Sequence, residues 1–73
     1  MKKYEFTVEE IQHEGITLKR IRRLNDGKLG GFIQTEENLS HDGGCWVSET
    51  ARVYGNAKVY GDARISGNAE VKL

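Results

Sequence analysis

The chain is short of most devices that hold a small protein together. Cys45 is the only cysteine among 73 residues, which excludes an intrachain disulfide and points to a reducing, cytoplasmic compartment. Neither charge sign is in excess: 11 Lys and Arg residues balance 11 Asp and Glu residues, for a formal net charge of zero. That weighs against a strongly electrostatic nucleic-acid binder or a membrane-surface protein. No hydrophobic run approaches the length of a membrane span. Met1-Lys2-Lys3-Tyr4 starts as a signal peptide would, but Glu5 follows and no apolar stretch comes after it. One domain, residues 1–73, is the ceiling at this length, and so small a core is marginal without staples, metal or oligomerisation. Self-association is therefore expected.

What is present begins with an amino-terminal hairpin over residues 3–24. Tyr4, Phe6 and Val8 alternate with Glu5 and Thr7, which is the period of a strand. A second run, Ile16 to Leu24, follows Glu14-Gly15, a pair suited to a two-residue turn because glycine accepts positive φ. That register sets Ile11 opposite Leu18, Val8 opposite Ile21, Glu10 opposite Lys19 and Glu9 opposite Arg20. Apolar then meets apolar and acid meets base. The helical spacing of Leu18, Ile21 and Leu24 competes, but the β-branched Ile16, Thr17 and Ile21 favour strand. Residues 25–44 form a loop and cap. Asn25-Asp26-Gly27 and Gly30-Gly31 mark breaks, Phe32-Ile33-Gln34 a short strand, and Glu36 to Ser40 one turn that buries Leu39.

From residue 45 to 73 the chain repeats every six residues. Ala51-Arg52-Val53-Tyr54-Gly55-Asn56 recurs as Ala57 to Asp62, Ala63 to Asn68 and Ala69 to Leu73, and Cys45 to Thr50 is a degenerate first unit. A short fixed period means units that bury apolar faces by stacking. Alternation sends the alanines and branched aliphatics inward, and sends Arg52, Lys58, Arg64, Glu70, Tyr54 and Tyr60 outward. The hexads resemble those of hexapeptide-repeat proteins. With Leu29 to Ile33, Glu37 to Ser40 and Gly44 to Val47 they resemble small bacterial and phage members of that group, often labelled transferases or polymer-forming proteins. The resemblance implies an all-β fold, a short left-handed parallel β-helix of about one and a half coils, with the hairpin as its cap. It also implies a phage or mobile-element origin. Residues 18 apart would then stack: Val53 on Val71, Val47 on Ile65, Cys45 on Ala63, Arg52 beside Glu70 and Trp46 beside Arg64.

The repeat is still in phase at Val71-Lys72-Leu73, so its last layer is expected to cover itself with a second copy. Val71 and Leu73 would carry a homodimer; a side-by-side trimer through Tyr54 and Tyr60 is the alternative.

Residues with possible chemistry are few. The resemblance to acyltransferases asks for a histidine base. His13 lies in the hairpin turn, and His41, beside Asp42, lies before the first full hexad; neither comes with a visible orienting partner, so no catalytic residue is assigned. His41, Asp42 and Cys45 are too few and too loosely spaced for a structural zinc site, and no metal or cofactor is expected. Lys19-Arg20-Ile21-Arg22-Arg23, with Lys28, is the one basic cluster. Arg20, Arg22, Arg23 and Lys28, with the large ring of Trp46, are the candidates for binding an acidic partner; the other reading is a solvated strand face paired with Glu9 and Glu10. Asn25 to Gly31 lacks the lysine and hydroxyl ending of a phosphate loop. The reading favoured is a non-enzymatic, self-associating interaction module. The alternatives are a small inhibitor that sequesters a host complex or small ligand, and an acyltransferase remnant.

Overall fold

The computed structural model describes residues 2–73. Seven strands occur among them: β1 (Tyr4–His13), β2 (Ile16–Arg23), β3 (Leu29–Ile33), β4 (Trp46–Val47), β5 (Arg52–Tyr54), β6 (Arg64–Ile65) and β7 (Glu70–Lys72). A single 3₁₀ turn spans Glu36–Asn38. Five strands make one sheet in the order β1-β2-β3-β5-β7, and β4 pairs with β6 in a second. None of the described helical segments is long and apolar enough to cross a membrane.

The hairpin forms because Glu14 and Gly15 both take left-handed backbone, φ 53° and 80°. That geometry matches the twist of the flanking strands. Ile11 pairs with Leu18 and Glu10 with Lys19, as the turn dictates. Beyond Glu10 the register slips, and Ile21 faces Phe6 instead of Val8. Two extra residues bulge out of β1, held where the Glu9 N–H donates to Thr7 Oγ1 at 3.1 Å, and Val8 is fully exposed. The slip brings Tyr4 opposite Arg23 and buries it. Its hydroxyl donates to the Leu39 carbonyl and lies 3.2 Å from that of Glu36.

The expected left-handed parallel β-helix of hexapeptide repeats is corrected here. The protein is a mixed-sheet fold: β1, β2 and β3 pair antiparallel, while β3-β5, β5-β7 and β4-β6 pair parallel. The hairpin is no separate cap but the larger part of the main sheet. The physical reason lies in strand length. Four of the five hexads supply a strand of only two or three residues and the Ala57 hexad supplies a single bridge, whereas β1 and β2 have ten and eight, so the antiparallel ladder dominates. The offset of 18 holds for Arg52 with Glu70, Val53 with Val71, Trp46 with Arg64 and Val47 with Ile65. It fails further in, where Ile33 pairs with Val53 and Leu39 bridges to Val59.

The two faces of the main sheet bury different clusters. Ile21, Ile33 and Val53 join Tyr4, Leu39, Val47, Ala51 and Val59 in the principal core. Leu18, Phe32 and Tyr54 form a smaller cluster with Ile11 and Ile16. Gly30 and Gly31, read from sequence as a break, lie inside β3. A Cβ on Gly31 would stand 2.5 Å from the Ala51 carbonyl oxygen, and one on Gly30 2.6 Å from that of Val47. Their missing side chains let β3 lie against the backbone leading from β4 to β5.

Asn38 is buried and joins the layers. Its Oδ1 accepts from the N–H groups of Gln34 (3.1 Å) and Thr35 (2.8 Å), and its Nδ2 donates to the carbonyls of Gly55 (3.2 Å) and Ala57 (2.8 Å). Only one amide orientation satisfies all four groups.

Candidate interaction surface

The hexads place the same residue types in successive layers, and burial falls sharply at the last. Ala51, Ala57, Val53 and Val59 are all buried. One layer on, Ala63 and Ala69 are exposed, while Ile65 and Val71 are half-buried and pack against the core from one side only. Leu73 is 84% exposed. Strands β6 and β7 each end their sheet, so backbone pairing capacity and small apolar side chains face outward together. Asp62, Arg64, Glu70 and Lys72 ring this face with both charge signs, and all are exposed.

Tyr60 is 71% exposed beside this face, but Tyr54 is 3% exposed. The expected outward Tyr54–Tyr60 surface is therefore corrected. The hairpin tip folds over β5, and Tyr54 packs with Leu18 and Phe32, its ring edge-on to His13 at 5.5 Å between centroids.

The three arginines of the basic cluster are already partnered. Arg20 Nη1 lies 3.3 Å from Glu9 Oε2, its Nε donates to the Gly30 carbonyl, and its guanidinium covers the Phe32 ring. Arg22 pairs with Glu5. Arg23 holds Asp26 at 2.8 Å, and the Asp26 carboxyl is lowered to about 2 by the Arg23 guanidinium and then by the Lys28 N–H. Trp46 is buried, and the cation over its ring is Arg23, at 5.2 Å, rather than the expected Arg64. Arg64 aligns with Trp46 along the backbone, but Arg23 reaches across from β2.

His41 lines an open cleft of about 460 Å³ together with Glu36, Glu37, Ser40, Asp42, Lys58 and Tyr60. Its Nδ1 accepts the Lys3 backbone N–H at 3.1 Å, which leaves Nε2 protonated to donate to Glu36 Oε1 at 2.7 Å. Tyr4 stacks on the ring at 4.1 Å. The His41 hydrogen bond holds the Glu36 carboxyl below its ordinary range. With both nitrogens engaged, His41 does structural service at the junction of β1 and the cleft. Cys45 is buried under Lys3, whose amine donates to the carbonyls of Gly43 and Cys45 and approaches Cys45 Sγ at 3.3 Å.

One grouping escaped sequence reasoning. His13 and Glu14 at the hairpin tip meet Glu70 of β7, 57 positions from His13 in the chain. The His13 ring contacts the Glu70 carboxylate, and its Nε2 lies 3.5 Å from Glu14 Oε2. Lys72 reaches Glu14 Oε1 at 3.7 Å, and Arg52 Nε lies 3.8 Å from Glu70 Oε2. The Tyr54 hydroxyl is buried beside Glu70 but outside hydrogen-bonding geometry with any group. Burial pushes its phenol up, and the Glu70 and Glu14 carboxylates add to the rise. The signal available in sequence was the 18-residue offset that sets Glu70 next to Arg52; nothing placed the hairpin tip over that pair.

No family model matches the chain, and no curated protein matches it. The hexapeptide-repeat family and the phage or mobile-element origin implied by resemblance find no support and are not retained.

Proposed function

We propose that the chain is a non-enzymatic interaction module that acts as a homodimer, joined through the face formed by β6 and β7. The observation that carries this reading is the step in burial between equivalent alanines, from Ala51 and Ala57, buried, to Ala63 and Ala69, exposed. A second copy is the occupant that fits, because β7 is self-complementary. In an antiparallel β7 pair centred on Val71, Glu70 faces Lys72 of the partner subunit and Val71 faces its own counterpart. A two-fold pair also covers Ile65 and Leu73 without leaving a new open end. The side-by-side trimer is less favoured, since burial of Tyr54 removes half the surface it needs. Capture of an acidic partner by Arg20, Arg22 and Arg23 is also less favoured, since each already holds a carboxylate.

Light scattering on the eluting protein tests this reading. Twice the chain mass is expected for the wild type, and the mass of one chain for Val71→Asp. Glu70→Lys should dissociate the dimer by setting two lysines face to face, and Glu70→Lys with Lys72→Glu should restore it. A well-folded wild-type monomer at the highest soluble concentration overturns the proposal, and a trimer replaces its symmetry.

A further inference from the structure

The hairpin tip and β7 bring together three metal-ligating side chains beside a buried hydroxyl that the charge network leaves unpaired. His13, Glu14 and Glu70 each offer a ligand atom, and all these atoms lie within 4.8 Å of one another. Donors about 2.1 Å from a tetrahedral zinc ion stand about 3.4 Å from each other. The separation of His13 Nε2 from Glu14 Oε2, 3.5 Å, is one such edge. The independent observation is Tyr54. Its side chain is 97% buried (3% exposed), its hydroxyl lacks a hydrogen-bond partner, and the nearest charged groups are Glu70, Glu14 and Lys72. A buried hydroxyl left unpaired is destabilising, a cost that a bound cation removes.

The geometry points to a divalent-cation site that clips the hairpin tip to β7, with His13 Nε2 and the carboxylates of Glu14 and Glu70 as ligands and the Tyr54 hydroxyl as fourth donor. One imidazole, two carboxylates and a phenol in so small a space suit zinc. They are too few for calcium, which takes six to eight oxygens, and magnesium keeps its waters. Lys72 binds the other oxygen of Glu14, Oε1, so the oxygen nearest His13 is free to ligate. Lys72 and Arg52 nevertheless oppose a cation by charge, so removing Lys72 should tighten binding severalfold. The ligands stand apart from the proposed dimer except for Glu70, and Lys72, which borders the site, also lies in that dimer.

The test is calorimetric titration of metal-free protein with zinc chloride, with Co²⁺ absorption reporting coordination. One zinc per chain and the intense visible bands of tetrahedral Co²⁺ are expected. His13→Gln and Glu70→Gln should each weaken binding by about tenfold or more. Tyr54→Phe should weaken it and abolish the tyrosine ultraviolet difference signal that accompanies zinc addition. Lys72→Met should strengthen it. His41→Gln, away from the cluster, should bind as the wild type does. Circular dichroism confirms that each variant is folded. Absence of stoichiometric zinc binding overturns the proposal, as does unchanged binding in His13→Gln or loss of binding in His41→Gln.

Discussion

Replacing Asn38 probes the join between the 3₁₀ turn and the hexads. Asn38→Ala removes four hydrogen bonds, to Gln34, Thr35, Gly55 and Ala57. A typical bond contributes about 1 kcal/mol net, and a partner left buried and unpaired costs about 1–3 kcal/mol. Water entering the vacated space relieves some of these groups, so the loss should be about 3–5 kcal/mol. At about 0.05–0.15 kcal/mol per residue, a chain of this length holds roughly 4–11 kcal/mol in all. Urea unfolding should then show a midpoint lower by several molar, or no folded baseline. Asn38→Asp keeps the shape and supplies a second reading. One carboxyl oxygen still accepts from Gln34 and Thr35, while the other meets the carbonyls of Gly55 and Ala57. Burial and those two carbonyls favour the neutral acid, which can donate to one of them, so the folded-state pKa should exceed the unfolded value near ~3.9. A raised folded pKa means stability that is fully present below the unfolded value and is lost as pH rises through the folded one. The deficit of Asn38→Asp against wild type should therefore shrink between neutral pH and about pH 4. A loss below about 1 kcal/mol in Asn38→Ala, or an Asp deficit that stays constant or widens toward acid, would refute the reasoning.

Three further substitutions have clear signs. Gly31→Ala should cost about 2–3 kcal/mol in the same unfolding assay, because its Cβ meets the Ala51 carbonyl at 2.5 Å and backbone cannot swing aside. Gly27→Ala, with φ +73° but open space around it, should cost only about 1–2 kcal/mol of left-handed strain; equal losses would show that the close approach is not what matters. Arg23→Gln should raise the Asp26 titration midpoint from about 2 toward 3.8, read by NMR of the carboxyl carbon. Since the native carboxyl is depressed, the stability it contributes is present above the unfolded pKa and lost as pH falls toward 2; an unmoved midpoint would clear Arg23 of the effect.

Legibility from sequence varied with the kind of interaction. The Glu14-Gly15 turn and its first rungs were legible because turn chemistry and facing charges agree locally. The bulge was not, because Val8 alternates as correctly as Phe6, and only the demand of Tyr4 for Leu39 and Glu36 decides the register. Gly30-Gly31 misled, since a glycine needed for its conformation and one needed for its missing side chain look the same in a string of letters. Hexad partners at 18 residues were legible from the period, but the architecture was not. Nothing in the period says that β2 will hydrogen-bond to β3 and draw the hexads into a mixed sheet. For the same reason Val71 and Leu73 could be placed at an open edge from sequence, while Tyr54 could not be placed under the hairpin tip, nor His13 against Glu70.

The Lys3–Cys45 contact makes the protein its own clock. Because the chain has a single thiol, and that thiol is 1% exposed, an alkylating reagent can reach it only when the seam beneath the lysine parts. The labelling rate at low denaturant then times that breathing motion without an added probe. Lys3→Met should quicken it while leaving distant amide exchange in β2 unchanged; an equal quickening in β2 would mean that the whole molecule, not the seam, lets the reagent in.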